Sequence, residues 1–355
     1  MNLIENARNF WSEWRVGSWL LGIGSALLVS AVFCLLFAYV APGTWSMTQK
    51  VRSLLPFPEV TVGWRAVASF REVASDLRSV RHFYESQDFS SLGMRVDFKT
   101  EDGRKRLRIK ELEIINKRLE DEAIREIAQG MGITITDTQA QRAVEDQLTT
   151  QGNDAKAASD RIMSLYGWTI PEFTEKVVLP SLYREALQQR IEADESRFAG
   201  AKGKAEDARK RLDDGRPFSD VATAVSEGRT ADKGGDLGWF SHEDLAPELQ
   251  DAAKNLKIGV GSGVIESDLG FHIIVVNDRK KDNGKDLVEL SQIFFRKQSF
   301  GDWLTERMKS MPIRVLSPDY RWNSERAQVE FRDEAMRQSE ADLLRNSQGD
   351  PSLLF

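Results

Sequence analysis

The sequence predicts an α+β fold carried behind an N-terminal membrane helix. Three patterns predict it. An uncharged apolar run lies near the start at 17–40, apolar residues recur at helical spacing through 59–200, and β-branched runs mix with short helices beyond Lys204. The expected layout is a tail at 1–16, a transmembrane helix at 17–40, a linker at 41–58, a helical domain at 59–200, a mixed domain at 201–318 and a charged tail at 319–355.

The anchor comes first. "GSWLLGIGSALLVSAVFCLLFAYV", Gly17 to Val40, carries no charge and is bounded by Arg15 and Lys50. About 20 apolar residues suffice to cross a bilayer as a helix. Trp11, Trp14 and Trp19 lie near one end and Tyr39 and Trp45 near the other, as interfacial aromatics do. A cleaved signal peptide is the competing reading. The length of the run and the acids Glu5 and Glu13 before it argue against one. Arg8 and Arg15 nearly balance Lys50 and Arg52, so charge alone leaves the orientation close to a tie. A short tail and a long body suit a single-pass protein of the cell membrane with its body outside the cytoplasm.

Composition narrows the function. The 355 residues allow two or three domains. A formal charge of −6 gives no basic footprint for nucleic acid. Cys34 is the one cysteine, and the histidines are His82, His242 and His272. That excludes an intrachain disulfide and speaks against a Cys/His zinc site.

The linker "LLPFPEVTVGW" is extended because prolines interrupt it. Val67, Phe70, Val73, Leu77, Val80 and Phe83 then predict a helix over 65–87. Leu107, Leu112, Ile115, Leu119, Ala123 and Ile127 predict a second, closed by "QGMG". "TDTQ" reads as a capping box for a third, and 155–166 as a fourth. "TIPEF" caps a fifth, expected to kink at Pro180 and run to about Ala199. The charge run "EDGRKRLRIKELE" reads as a solvated helix face.

From Lys204 the elements shorten. "KAEDARKRLDDG" is a helix, "PFSDVATAVSEG" a second capped by Ser219, and "LAPELQDAAKNLKIG" a third. "GFHIIVVNDRK", "LVELSQIFF" and "IRVLS" are strands, with the helix "FGDWLTERMKSM" before the last. The tail from Asp319 reads as a surface helix or a disordered segment.

The ordered set "FSDVATAVS…KGGDLGWFS…LAPELQDAAKNLKIGVGSGVIESDLGFHIIVV" resembles the parvulin-type peptidyl-prolyl isomerases over Lys204 to Asp278. With an anchor and a helical domain before it, the chain looks like the extracytoplasmic foldases of the SurA, PpiD and PrsA type. The helical part of those proteins holds unfolded chains, as in trigger factor. The resemblance implies a small four-stranded antiparallel sheet wrapped by about four helices. The family's first strand is missing before Lys204. "VELSQIFF", Val288 to Phe295, looks like that strand displaced, which implies a circularly permuted sheet with the strand in the central place.

The same resemblance assigns the site. Leu245 and Leu249 take the positions that line a proline pocket, and Phe240 and Phe271 are expected to contribute. His272 matches the family histidine, Gln292 stands where its partner would be, and Ser267 matches a rim hydroxyl. Glu227 or Gly228 falls where the family has Cys or Asp, so Glu227 would supply negative charge. A structural role for His272, and ordinary packing for Leu245 and Leu249, are the competing readings.

Rotation about a peptide bond meets a barrier of about 18–20 kcal/mol but breaks no bond, so the chemistry calls for no metal or cofactor. A phosphate-binding role for the glycine loop fails, because the P-loop lysine and its Ser/Thr are missing. Two functions remain. The first is isomerisation of X–Pro bonds in unfolded or exported polypeptides. The second is a parvulin-like binding module without turnover, acting as a holdase or scaffold.

Overall fold

In the computed structural model the described residues are 25, 29–41, 46–54, 56–87, 97–150, 155–282 and 284–346. The chain divides into two compact units. One comprises Met1–Gln188 with Leu304–Phe355, the other Gln189–Trp303. These breaks differ from the expected limits at 200 and 318.

Residues 29–40 are helical. Of the expected span, 17–24 and 26–28 lie outside the described residues. Among the described residues no helix is long and apolar enough to cross a membrane.

The first unit continues with α1 (Ser46–Leu54), β1 (Pro58–Val62), β2 (Arg65–Ser69) and α2 (Phe70–Ser86). A helix was expected from Arg65. Instead Arg65–Ser69 pairs antiparallel with β1. Gly63, at φ 57, makes the reversal that β-branched residues resist. Ser69 and Glu72 form a capping box, so the helix can begin only at Phe70.

Next come α3 (Glu101–Gly130), α4 (Asp137–Thr150) and α5 (Ala155–Tyr166). Leu112, Ile115, Leu119 and Ala123 of α3 are at most 1% exposed, as their spacing predicts. Thr136 and Gln139 exchange the expected capping bonds before α4. Thr169 and Glu172 do the same before the turn Ile170–Phe173. A π-turn, Thr174–Val178, then leads into α6 (Leu179–Glu192). The irregularity expected at Pro180 takes this form, because proline has no N–H to continue the α-helical ladder. The helix stops short of Ala199, and a 3-10 turn, Glu195–Phe198, follows.

The second unit holds α7 (Ala199–Asp213), α8 (Phe218–Val225), β3 (Asp236–Ser241), α9 (Pro247–Asn255), β4 (Ile265–Glu266), β5 (Gly270–Asp282) and β6 (Lys285–Arg296). Pro217, not Ser219, stands at the cap of α8. The sheet has the order β3-β6-β5-β4, and every pair is antiparallel. The strand that carries Val288–Phe295 therefore lies in the centre, between β3 and β5.

Strand alternation divides the core between two faces. Phe271, Ile273, Ile293 and Phe295 pack against Ala205 and Ala208 of α7 and Val221 and Ala222 of α8. Ile274, Val276 and Leu290 pack on the other face against Leu245, Leu249 and Ala253. Each fully buried side chain of this size stabilises by about 1.5–3 kcal/mol.

Helix α10 (Phe300–Lys309) leads the chain out of this unit, and the remainder rejoins the first. Ile313–Val315 (β7), expected to close the mixed domain, pairs with β1 as the third strand of a β2-β1-β7 sheet. The tail, expected as a surface helix or a disordered segment, begins instead with a hairpin, β8 (Tyr320–Asn323) and β9 (Gln328–Phe331), and leads into the expected surface helix, α11 (Glu334–Asn346). Tyr320, Val329 and Phe331 are at most 1% exposed. Asn116 of α3 donates to the Val329 carbonyl at 2.9 Å and accepts from its amide at 2.7 Å. The charge run at 101–113 is correspondingly not all solvated, since Ile109 and Lys110 are buried.

Candidate active site

The site is built on the sheet face that carries Ile274, Val276 and Leu290. His272 lies one alternation before Ile274 on β5, opposite Phe294 of β6. Gln292 lies opposite Ile274, so it shares this face with Leu290 and Phe294. The Phe294 ring stands 4.8 Å from the imidazole of His272.

His272 is 5% exposed. Its Nε2 lies 2.7 Å from the Ser267 hydroxyl, which also accepts from the Leu269 amide at 3.1 Å. Among the described residues its Nδ1 finds no hydrogen bond of good geometry. Burial pushes the imidazole below its usual pKa; the Gln292 side chain and the charge of Glu248 pull the other way without cancelling it. Burial thus favours the neutral form of the ring. Lys297 fixes the loop by donating to the Ser267 carbonyl at 2.9 Å and pairing with Glu266 at 2.7 Å.

The glycine loop positions this face. Gly234 and Gly235 adopt φ 67 and 82, closed to most side chains. The Gly235 carbonyl accepts from the Gln292 amide at 2.9 Å, which pins β6 at the residue beside His272. Asp236 accepts from the Gly238 amide at 2.9 Å, a local turn bond. Gly238, at φ 81, marks the irregularity in the β3–β6 register.

The remaining expected residues divide. Phe240, Leu245 and Leu249 lie on the His272 face, but Leu245 and Leu249 are only 8% and 7% exposed and pack against Ile274, Val276 and Leu290. Phe271 is a correction. It is buried in the opposite core, because one step along a strand reverses the side chain. Glu227 is tied to the end of β6, accepting from the Arg296 amide at 2.9 Å and from Lys204 at 2.8 Å. Burial raises its carboxyl pKa, but Lys204 and Arg296 outweigh this and hold it below the ordinary range. Phe294 and Glu248 were missed. Phe294 was findable, since it follows Gln292 by two residues on a strand and must share its face.

The neutral imidazole has a measurable consequence. An unfolded histidine titrates near 6.5, and this one titrates lower when folded. Between the two values the unfolded state binds more protons, so the second unit loses stability as pH falls through that window. His272→Gln is expected to flatten this acid-side loss, read as the denaturant midpoint at pH 7 and pH 5. An equal fall in both proteins would contradict the assignment.

Comparison with known proteins adds to this geometry. Residues 185–278 match the family of the PPIC-type PPIase domain, a rotamase. The match ends before β6, so the central strand lies outside it. Chaperone SurA of Chromobacterium violaceum is 36% identical over 114 residues, 30% of this chain and 27% of that protein. Foldase protein PrsA of Geobacillus kaustophilus is 40% identical over 78 residues, 22% of this chain and 28% of that protein. The aligned segment spans little more than a quarter of the length of either relative. A crystal structure of PrsA from Bacillus cereus aligns with 66% of this chain and 82% of that one, at 17% identity and a TM-score of 0.22. That last likeness is too loose to support an argument.

Proposed function

We propose that the chain is a membrane-anchored foldase that binds unfolded polypeptides outside the cytoplasm and isomerises their X–Pro bonds. The observation that carries this reading is the grouping of Ser267, His272 and Gln292 with Phe240, Leu245 and Leu249 on one sheet face. Most of that face falls within the segment similar to PPIC-type domains. An apolar seat holds the proline ring. The neutral Ser267–His272 pair offers polar contact without a charge that would need its own solvation. Interactions stronger with the twisted amide than with the planar one lower the barrier. The bilayer partner is engaged through 17–40, and the clients are proline-containing chains.

A second reading has its own observation. The close packing of Leu245 and Leu249 leaves little of either to meet a substrate, which favours a binding module without turnover, serving as holdase or scaffold.

Proline-peptide exchange measured with the full chain in detergent separates the two. The foldase reading expects exchange faster than buffer, and His272→Ala to slow it about tenfold, a loss of about 1.4 kcal/mol of transition-state stabilisation. Exchange at the buffer rate, with aggregation of an unfolded client still suppressed, would support the binding module instead.

A further inference from the structure

Four segments of the first unit meet around a carboxyl group that the site described above does not use. Glu59 lies on β1 and is 1% exposed. Neither of its oxygens makes a hydrogen bond of good geometry among the described residues. Arg52 faces it from α1, and Arg108 and Glu111 from α3. Ser317, Asp319 and Tyr320 face it from the returning C-terminal segment, and Tyr39 from the helical residues 29–40.

The charges do not balance. Three carboxylates, Glu59, Glu111 and Asp319, share two guanidinium groups. Arg52 pairs with Asp319 at 2.8 Å and donates to the carbonyls of Ala38 and Ala41 at 2.9 and 3.1 Å. Arg108 stands 3.7 Å from Asp319 and 3.8 Å from Glu111. Both cations are therefore committed elsewhere, and Glu59 is the acid left over. It also sits at the seam. Its carbonyl accepts from the Leu316 amide at 2.8 Å, beside the Val60–Val315 pair of the β1–β7 ladder.

We propose that Glu59 is a proton-controlled latch: protonated, it lets residues 313–331 dock on β1 and α3, and on losing its proton it loosens them. An unpaired buried charge is costly, so the group keeps its proton until the pH is high enough to remove it. Burial pushes the carboxyl up to about 8, with Glu111 and Asp319 acting in the same direction and Arg52 and Ser317 opposing.

The sign follows from proton counts. The unfolded carboxyl titrates near 4.5 and the folded one near 8. Between those values the folded state holds the extra proton, so stability falls as pH rises through the window and levels off above about 8. Release of β7 would uncover the β1 edge at Val60–Val62.

Hydrogen exchange of the full chain, corrected for intrinsic rates, tests the latch in residues 313–331. Wild-type protection is expected to drop about tenfold or more between pH 6.5 and pH 9, since each pH unit in the window is worth up to a factor of ten. Glu59→Gln, which mimics the protonated acid, is expected to hold its protection across that range. An equal drop in Glu59→Gln, or a drop abolished only by Glu111→Gln, would overturn the proposal. If Glu59→Gln does not fold, the side-chain carbon of Glu59 in the wild type decides by NMR. A titration midpoint near pH 8 supports the latch. A carboxylate already ionised at pH 6.5 removes it.

Discussion

Phe331→Ala is expected to destabilise the first unit by about 3–5 kcal/mol, the usual cost of emptying a buried phenylalanine site. Phe331 is 0% exposed and its ring lies 5.4 Å from that of Tyr320. It ends β9, whose Val329 is bonded on both backbone groups to Asn116 of α3. The cavity would therefore open where the C-terminal hairpin meets the longest helix. Denaturant unfolding of the full chain, followed by a probe in each unit, measures it. The first unit should unfold earlier while the second keeps its midpoint. A loss under about 1 kcal/mol would mean that the hairpin can leave without cost, contrary to its burial.

Gly235→Ala is expected to cost the second unit about 2 kcal/mol or more. An L-residue in the left-handed region loses about 1–2 kcal/mol, and Gly235 sits at φ 82. Space is also lacking. A Cβ there would lie 2.4 Å from the Gln292 carbonyl oxygen, so backbone must move. The displaced backbone is that of the central strand beside His272, so the exchange proposed for this face should fall with stability. Thermal unfolding with the exchange assay reads both. An unchanged midpoint would show that the loop tolerates a side chain at Gly235.

Much of the second unit could be read from residue order. The glycine pair, the apolar strand of β5 and "VELSQIFF" are local patterns, and together they located the central strand and the face shared by His272 and Gln292. Phe271 was misjudged because a motif names neighbours in sequence, whereas a strand sends them to opposite faces. Leu245 and Leu249 lie on the His272 face, but their burial depends on how Leu290 and Val276 meet them, and no single segment contains that.

The first unit was less legible. Helix caps at Thr136 and Thr169 are spacings of three residues, and their partners stand close by in the chain. The same local reading made 65–69 a helix, because Val67 and Phe70 fit that period as well as a strand that turns into a helix. It also made the stretch from Asp319 a surface helix or a disordered segment. Tyr320 and Trp322, like Val329 and Phe331, alternate with polar residues, but alternation identifies a buried face without naming what buries it.

The sequence by itself determined where several helices begin and where the chain turns, because those depend on backbone preferences and on neighbours a few positions away. Only the tertiary structure decided that Asp319 meets Arg52 across 267 positions, and that β7 completes the sheet begun by β1. It alone left Glu59 buried without a cation of its own. Long-range pairing is selected by the summed burial of many side chains, and a charge is costly or harmless according to what the rest of the fold places around it.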